Sequence, residues 1–143
     1  MGCPQVVAFT VPFVRGKGRP RFVRATGRAY TPDRTAEAMG AVRDAYVAAG
    51  GELVPAGTPV GVIITTSRAL PRSRPKRVQV ERDTFKPDID NIAKLVLDAL
   101  TGVAWADDTQ VTDLKVTKRD RRRGAREETR VHIIRKEARH EEE

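Results

Sequence analysis

The sequence predicts a small α+β domain of two layers, a mixed β-sheet with two main helices packed on it. Three observations predict it: two segments with helical periodicity, four or five short β-prone runs around them, and a last pair of strands that reads as antiparallel. The 143 residues suffice for one domain with a single modest core. No internal repeat or low-complexity linker divides them, so residues 1–136 are expected to fold as one unit. The acidic residues 137–143 are expected to be solvated and disordered.

In chain order, Val6 to Val11 is a short β-prone run. Phe22 and Val23, then Ala29 to Thr31, read as two short strands or extended arms around Gly27. Thr31-Pro32-Asp33 opens a helix, with Thr31 able to cap it and Pro32 suited to the first helical position. Its apolar side uses Ala38, Met39, Val42, Ala45, Tyr46 and Ala49, and Gly50-Gly51 stops it. Val60 to Thr66 is rich in β-branched residues and reads as a buried strand. Pro71 to Lys86 is a polar, basic loop, followed by a second helix from Asp88 to Leu100 that ends at Gly102. Val111 to Thr117 and Thr129 to Ile134 read as a final hairpin around the basic turn Arg119 to Arg126.

Lys and Arg total 27 against 19 acids, a formal charge of +8 and a pI near 10.2. Four of those acids and one base fall in the last seven residues, which leaves the body at +11. Such an excess fits a polyanionic partner, because each phosphate neutralised by Lys or Arg releases condensed counterions. Three basic clusters fall in expected loops. Arg15, Lys17, Arg19, Arg21, Arg24 and Arg28 lie among glycines, and Arg68, Arg72, Arg74, Lys76, Arg77, Arg82 and Lys86 surround Pro71 and Pro75. Lys115, Lys118, Arg119, Arg121, Arg122, Arg123 and Arg126 form the third. Charge on solvated loops costs a core nothing, but three clusters on one small domain favour a nucleic-acid surface. With only four Phe, two Tyr and one Trp, backbone and shape recognition is expected over the reading of splayed bases.

Cys3 is the only cysteine, so no intrachain disulfide is possible and nothing points to an oxidising compartment. No apolar stretch approaches a membrane span and the N-terminus lacks a signal-peptide core, so a cytoplasmic protein without membrane contact is expected. One Cys and two His cannot assemble the usual zinc ligand sets within one chain. Any metal site must be made of carboxylates, which favours hard ions such as Mg²⁺ or Mn²⁺.

The second helix carries the chemistry. At ~100° per residue, Asp90, Asn91, Lys94 and Asp98 fall within about 100° of one another, while Ile89, Ile92, Ala93, Leu95, Val96, Leu97, Ala99 and Leu100 take the rest of the circumference. A surface helix ordinarily shows a narrow apolar stripe and a wide polar face; here the proportions are reversed. Ionisable groups in so narrow a stripe are paired or bind a ligand. A structural reading exists: Asp88 caps the helix after Pro87, and Asp90, Lys94 and Asp98 form i,i+4 ion pairs. The adjacent carboxylates Asp107 and Asp108, just before a strand, repel one another and make sense if a cation neutralises at least one.

Together these features resemble the RusA family of Holliday junction resolvases of bacteria and their phages. The resemblance rests on Lys86-Pro87-Asp88-Ile89-Asp90-Asn91, Lys94, Asp98-Ala99-Leu100-Thr101 and Asp107-Asp108-Thr109-Gln110-Val111, in that order and spacing. A looser likeness covers Gly18-Arg19-Pro20-Arg21-Phe22 and Ala29-Tyr30-Thr31-Pro32; the acidic tail departs from the pattern. The resemblance implies a homodimeric, Mg²⁺-dependent endonuclease, with Mn²⁺ able to substitute, that nicks four-way DNA junctions symmetrically and needs no small-molecule cofactor. It matches the essential, metal-holding acids to Asp88, Asp90 and Asp108 and the catalytic lysine to Lys94. DNA contacts are expected from Arg15, Lys17, Arg19, Arg21, Arg72, Arg74, Lys76, Arg77, Lys86, Lys118, Arg121, Arg122 and Arg123. Asp107, Asp98 and Asn91 belong to the motif with lesser claims.

One distance matters. A helix from 88 to 100 is ~18 Å long, so a simple turn leaves Asp108 at the wrong end. Seven extended residues, 101 to 107, span roughly 23 Å and can return along the helix. The same-chain site is therefore preferred over one completed by a second subunit. The competing readings are a non-catalytic basic nucleic-acid-binding protein, whose acids only cap and pair, and a nuclease that prefers flaps, forks or RNA.

Overall fold

A computed structural model describes residues 5–18, 21–22, 29–30 and 33–137. Strand β1 (Val6–Val11) alternates outward and inward residues, burying Val7, Phe9 and Val11, as the two-residue period of an extended chain requires. Strands β2 (Arg21–Phe22) and β3 (Ala29–Tyr30) pair antiparallel, with Arg21 opposite Tyr30, in line with the two short runs expected around Gly27. Helix α1 (Asp33–Ala48) buries Thr35, Ala38, Val42 and Tyr46, one face at steps of three and four. Its expected cap Thr31 and first-turn Pro32 lie outside the described residues.

Strand β4 (Val60–Ser67), β5 (Val80–Glu81), helix α2 (Ile89–Leu100), β6 (Val111–Lys118), β7 (Arg121–Arg122) and β8 (Glu128–Arg135) follow. The main sheet runs β1-β8-β4-β6. Strand β8 is antiparallel to β1 and β4, and β6 is parallel to β4. Rows Val7–Ile133–Val62–Leu114, Phe9–Val131–Ile64–Val116 and Val11–Thr129–Thr66–Lys118 cross its inner face. Both helices pack there, so that Val42, Tyr46, Ile92, Val96, Ala99 and Leu100 share one core with the sheet. The two-layer α+β expectation is met.

Two local expectations are not. Strands β6 and β8 are no hairpin, because β4 lies between them and pairs with both. β-Branched runs show which segments are strands but not which neighbour each takes. Here the crossover through α2 brings β6 beside β4 in parallel, and the basic residues after β6 turn aside. They form β7, which pairs with β5 as a separate ribbon. Residues 71–86 are therefore not wholly a loop. Among the described residues no helix is long and apolar enough to cross a membrane. Of the expected disordered tail, residues 138–143 lie outside the described residues.

After Leu100 the chain turns tightly. Ala104 N donates to Leu100 O at 2.8 Å and Gly102 N to Trp105 O at 2.7 Å. The turn needs φ +90° at Gly102, a conformation that glycine adopts without a Cβ penalty. Fully buried Trp105 fixes it from below, its Nε1 donating to Thr101 Oγ1 at 3.1 Å.

Candidate active site

Helix α2 buries Ile92, Ala93, Leu95, Val96, Ala99 and Leu100, each large one contributing about 1.5–3 kcal/mol. This leaves the polar stripe facing out. Asp88, Asp90 and Lys94 are exposed, and Asn91 and Asp98 half-buried. Asp88 occupies the N-cap position with extended backbone, but its side chain makes no capping hydrogen bond. Neither Asp90 nor Lys94 takes part in an ion pair among the described residues. Asp98 pairs with Lys17 from the distant N-terminal segment rather than with Lys94. The caps and i,i+4 pairs of the structural reading are thus not formed.

The segment that delivers Lys17 crosses the first turn of α2. Lys17 N donates to Asn91 O at 3.0 Å, and a Cβ added to Gly16 would lie 2.9 Å from the Cβ atoms of Asn91 and Pro87. Only a glycine lets the two backbones approach this closely. At the other end of α2, Arg43 of α1 donates from Nε to Ala99 O at 3.0 Å, satisfying one of the carbonyls a helix end leaves free.

The approach to Asp88 is held by cations. Arg68, one residue beyond β4, donates from a terminal guanidinium nitrogen to Lys86 O at 2.6 Å. Lys118, the last residue of β6, donates from Nζ to Phe85 O and, at 3.0 Å, to Pro87 O.

Asp107 and Asp108 differ in their surroundings. Asp107 Oδ1 accepts from Thr109 N at 3.0 Å and caps the short 3₁₀ turn Asp108–Gln110. That hydrogen bond holds the Asp107 carboxyl below the usual carboxylate range. Gln110 completes the box: its Oε1 accepts from Ala106 N and Asp107 N, and its Nε2 donates to the carbonyls of Pro55 and Thr58. The spacing Asp107-x-x-Gln110 is a capping-box signature, a signal the sequence reading left unused. Asp108 shares the Thr109 backbone N–H, but that donor is outweighed. The side chain of Asp107, desolvation and the charges of Asp107 and Asp98 push its carboxyl up.

Asp98 is thus the acid of α2 whose charge Asp108 feels. Strand β6 runs from there back toward Pro87, so Asp108 sits at the C-terminal end of α2, and Asp88 and Asp90 at its start. The preference for a same-chain cluster is not met. Residues 101–105 are consumed by the tight turn instead of running extended, and Asp90 and Asp98 alone are about 12 Å apart along the helix. Among the described residues no three His, Cys, Asp or Glu side chains form a metal-holding group.

The basic residues divide by what they touch. Arg15 lies over the Phe13 ring at 4.9 Å. Arg74 pairs with Glu81 at 2.9 Å, and both Arg74 and Arg121 lie over Phe85, at 5.8 and 4.7 Å. Arg121 also donates to Ala69 O, and Arg123 donates to Pro75 O and Val78 O. These guanidiniums hold the loops and the β5–β7 ribbon in place. Arg72, Lys76, Arg77, Lys86 and Arg122 expose their side chains. Arg19 lies outside the described residues, and Arg21 stands on β2.

Residues 12–134, from the end of β1 almost to the end of β8, match the family described as Endodeoxyribonuclease RusA. A Bacillus subtilis (strain 168) protein, "Uncharacterized protein YqaN", is 41% identical over 68 residues, covering 42% of this chain and 48% of its own. The chain spans about half the length of this curated relative. The match with the family takes in both helices, the acids on and after α2, and all the strands but β1, and so the chain belongs to the RusA endodeoxyribonuclease family.

Proposed function

We propose that this protein is a Mg²⁺-dependent endodeoxyribonuclease that resolves four-way DNA junctions by paired symmetric nicks, working as a homodimer. The observation that carries the reading is the state of the acids at the start of α2. Asp88 and Asp90 are both exposed at the N-terminal end of a helix, with no side-chain capping bond from Asp88 and, among the described residues, no ion pair to Asp90. A hydrated Mg²⁺ is ordinarily held by one or two carboxylates together with substrate phosphates, and two such carboxylates fit that demand. When bound, the ion supplies an activated water and charge stabilisation at the scissile phosphate. Lys94, one turn beyond Asp90, aims an ammonium at the phosphoryl oxygens or the leaving oxygen. The exposed bases Arg72, Lys76, Arg77, Lys86 and Arg122 hold the DNA backbone.

Asp108 enters through the dimer in this reading. A second copy brings its Asp108 to the Asp88–Asp90 pair, and a two-fold axis gives two sites for two symmetric nicks. Mixing Asp90→Asn and Asp108→Asn proteins tests the arrangement. Heterodimers recover nicking at one site if the acids are shared across the interface, and recover nothing if each site belongs to one chain.

Cleavage of labelled four-way, three-way and linear DNA, with Mg²⁺, with Mn²⁺ and with neither, tests the whole reading. Metal-dependent paired nicks in the four-way substrate are expected. Binding without cleavage in every metal would replace the proposal by a non-catalytic binding protein. A preference for flaps or forks would replace the substrate alone.

A further inference from the structure

Lys118 belongs to the third basic cluster and so to the expected DNA contacts, but its ammonium is turned inward. It stands in the last row of the inner sheet face, beside Thr66 of β4, and reaches the carbonyls of Phe85 and Pro87. Arg68, from the end of the neighbouring strand, takes the intervening carbonyl of Lys86. Three consecutive carbonyls leading into Asp88 are therefore held by two cations from the C-terminal ends of two parallel strands.

Helix stabilisation does not account for this. A cation near a helix N-terminus opposes the macrodipole, so the lysine is placed at a cost to α2. It is also not spent on the core, since Thr66, Thr129 and Lys118 end the apolar rows. What the contacts fix is the backbone direction from residue 85 to 88, and with it the point from which the Asp88 side chain leaves the chain.

We propose that Lys118, with Arg68, is a positioning residue for the Asp88–Asp90 metal site, acting through the carbonyls of residues 85–87 and not through DNA phosphates. The inference rests on those two acids being the metal ligands. It has an unusual sign. By charge alone, removing a cation from beside two carboxylates strengthens their hold on a divalent ion. By positioning, removal loosens the carboxylates and weakens it, on the 10–100-fold scale typical of groups that orient metal ligands.

The test is Mn²⁺ affinity of the DNA-free protein, read by electron paramagnetic resonance, for wild type, Lys118→Met and Asp88→Asn. Binding of a four-way junction in metal-free buffer is measured on the same proteins. We expect Lys118→Met to lose 10-fold or more in Mn²⁺ affinity, to bind the junction within twofold of wild type, and to exchange the amides of residues 89–91 faster. Unchanged or stronger Mn²⁺ binding overturns the inference. So does a weaker junction complex whose log K against log salt slope is shallower by about 0.9, the mark of one lost phosphate contact. Asp88→Asn keeps the two hypotheses apart: if it too leaves Mn²⁺ binding unchanged, the metal site itself is wrong. Should Lys118→Met not fold, Arg68→Met carries the same expectations through the carbonyl of Lys86.

Discussion

Replacing Asp90 by Asn, and separately Asp88 by Asn, divides chemistry from stability. Each change keeps the shape of the side chain and removes one charge. If the acids hold Mg²⁺ at the scissile phosphate, cleavage falls by ~100-fold or more, about 2.7 kcal/mol of transition-state stabilisation. The stability cost is small for reasons visible in the fold. Asp88 makes no capping bond, and Asn is as good a cap as Asp. Asp90 makes no ion pair among the described residues, so Asn forfeits only its attraction to the helix N-terminus, about 0.3–1 kcal/mol. For a chain of this length that lowers the melting temperature by about 1–4 °C. Initial nicking rates on an end-labelled junction and calorimetric melting on the same samples measure both quantities. Metal-free junction affinity should hold or rise, since a negative charge facing phosphates has gone. Variants that melt early yet cut at near wild-type rates would refute the reasoning.

Asp108→Asn should likewise abolish cleavage, but it should raise the melting temperature at neutral pH. The Asp108 carboxyl is pushed above its ordinary value of 3.8, so its ionised form opposes folding at neutral pH. The advantage of Asn should vanish once both proteins are below that value; equal melting at pH 7 would contradict this. Asp107, held low, has the opposite sign: its contribution is present above 3.8 and is lost as pH falls through its folded value, so Asp107→Asn should narrow the acid dependence of melting. With six to eight phosphate contacts, log K against log salt should slope at about −5 to −7, and the exposed triple Arg72→Ala, Lys76→Ala, Arg77→Ala should make it shallower by about 2–3. A slope near zero would remove the case for phosphate contacts. Gly16→Ala should cost about 1–3 kcal/mol, because its methyl meets Asn91 and Pro87 at 2.9 Å. Chemical denaturation measures it, and a neutral change would mean the segment yields freely.

The sequence made the two helices and the strand runs legible because burial imposes a period of 3.6 or 2 on the residues themselves. Helix α2 is the clearest case: six apolar side chains are buried, and the polar residues Asp90, Asn91, Lys94 and Asp98 fall on the open face together with exposed Ile89 and half-buried Leu97. Strand partners left no such trace, and β6 was assigned to β8 when β4 separates them. The two-residue strands β5 and β7 are too short to show any period. Within the candidate site, the polar stripe of α2 was legible and side-chain engagement was not. Nothing in Arg74, Lys118, Arg121 or Arg123 as letters distinguishes a guanidinium or ammonium bound to a carbonyl or paired with an acid from one waiting for phosphate. Lys17 meeting Asp98 across 81 positions is a product of the fold alone.

The pairing of β6 with β4 slips once, between Val60 opposite Val111 and Gly61 opposite Asp113, which leaves Thr112 as a surplus residue. This sets where the chain can change length. An insertion or deletion of one residue at Thr112, after the capping box, can be taken up at the slip, leaving Leu114, Val116 and Lys118 facing inward. The same change between Leu114 and Lys118 reverses every later residue of the strand, because neighbours along it face opposite sides. Lys118 would then point away from α2 and the loop before Asp88 would lose its ammonium. Natural length variation in β6 should therefore gather at Thr112 and be absent from the five residues that end the strand.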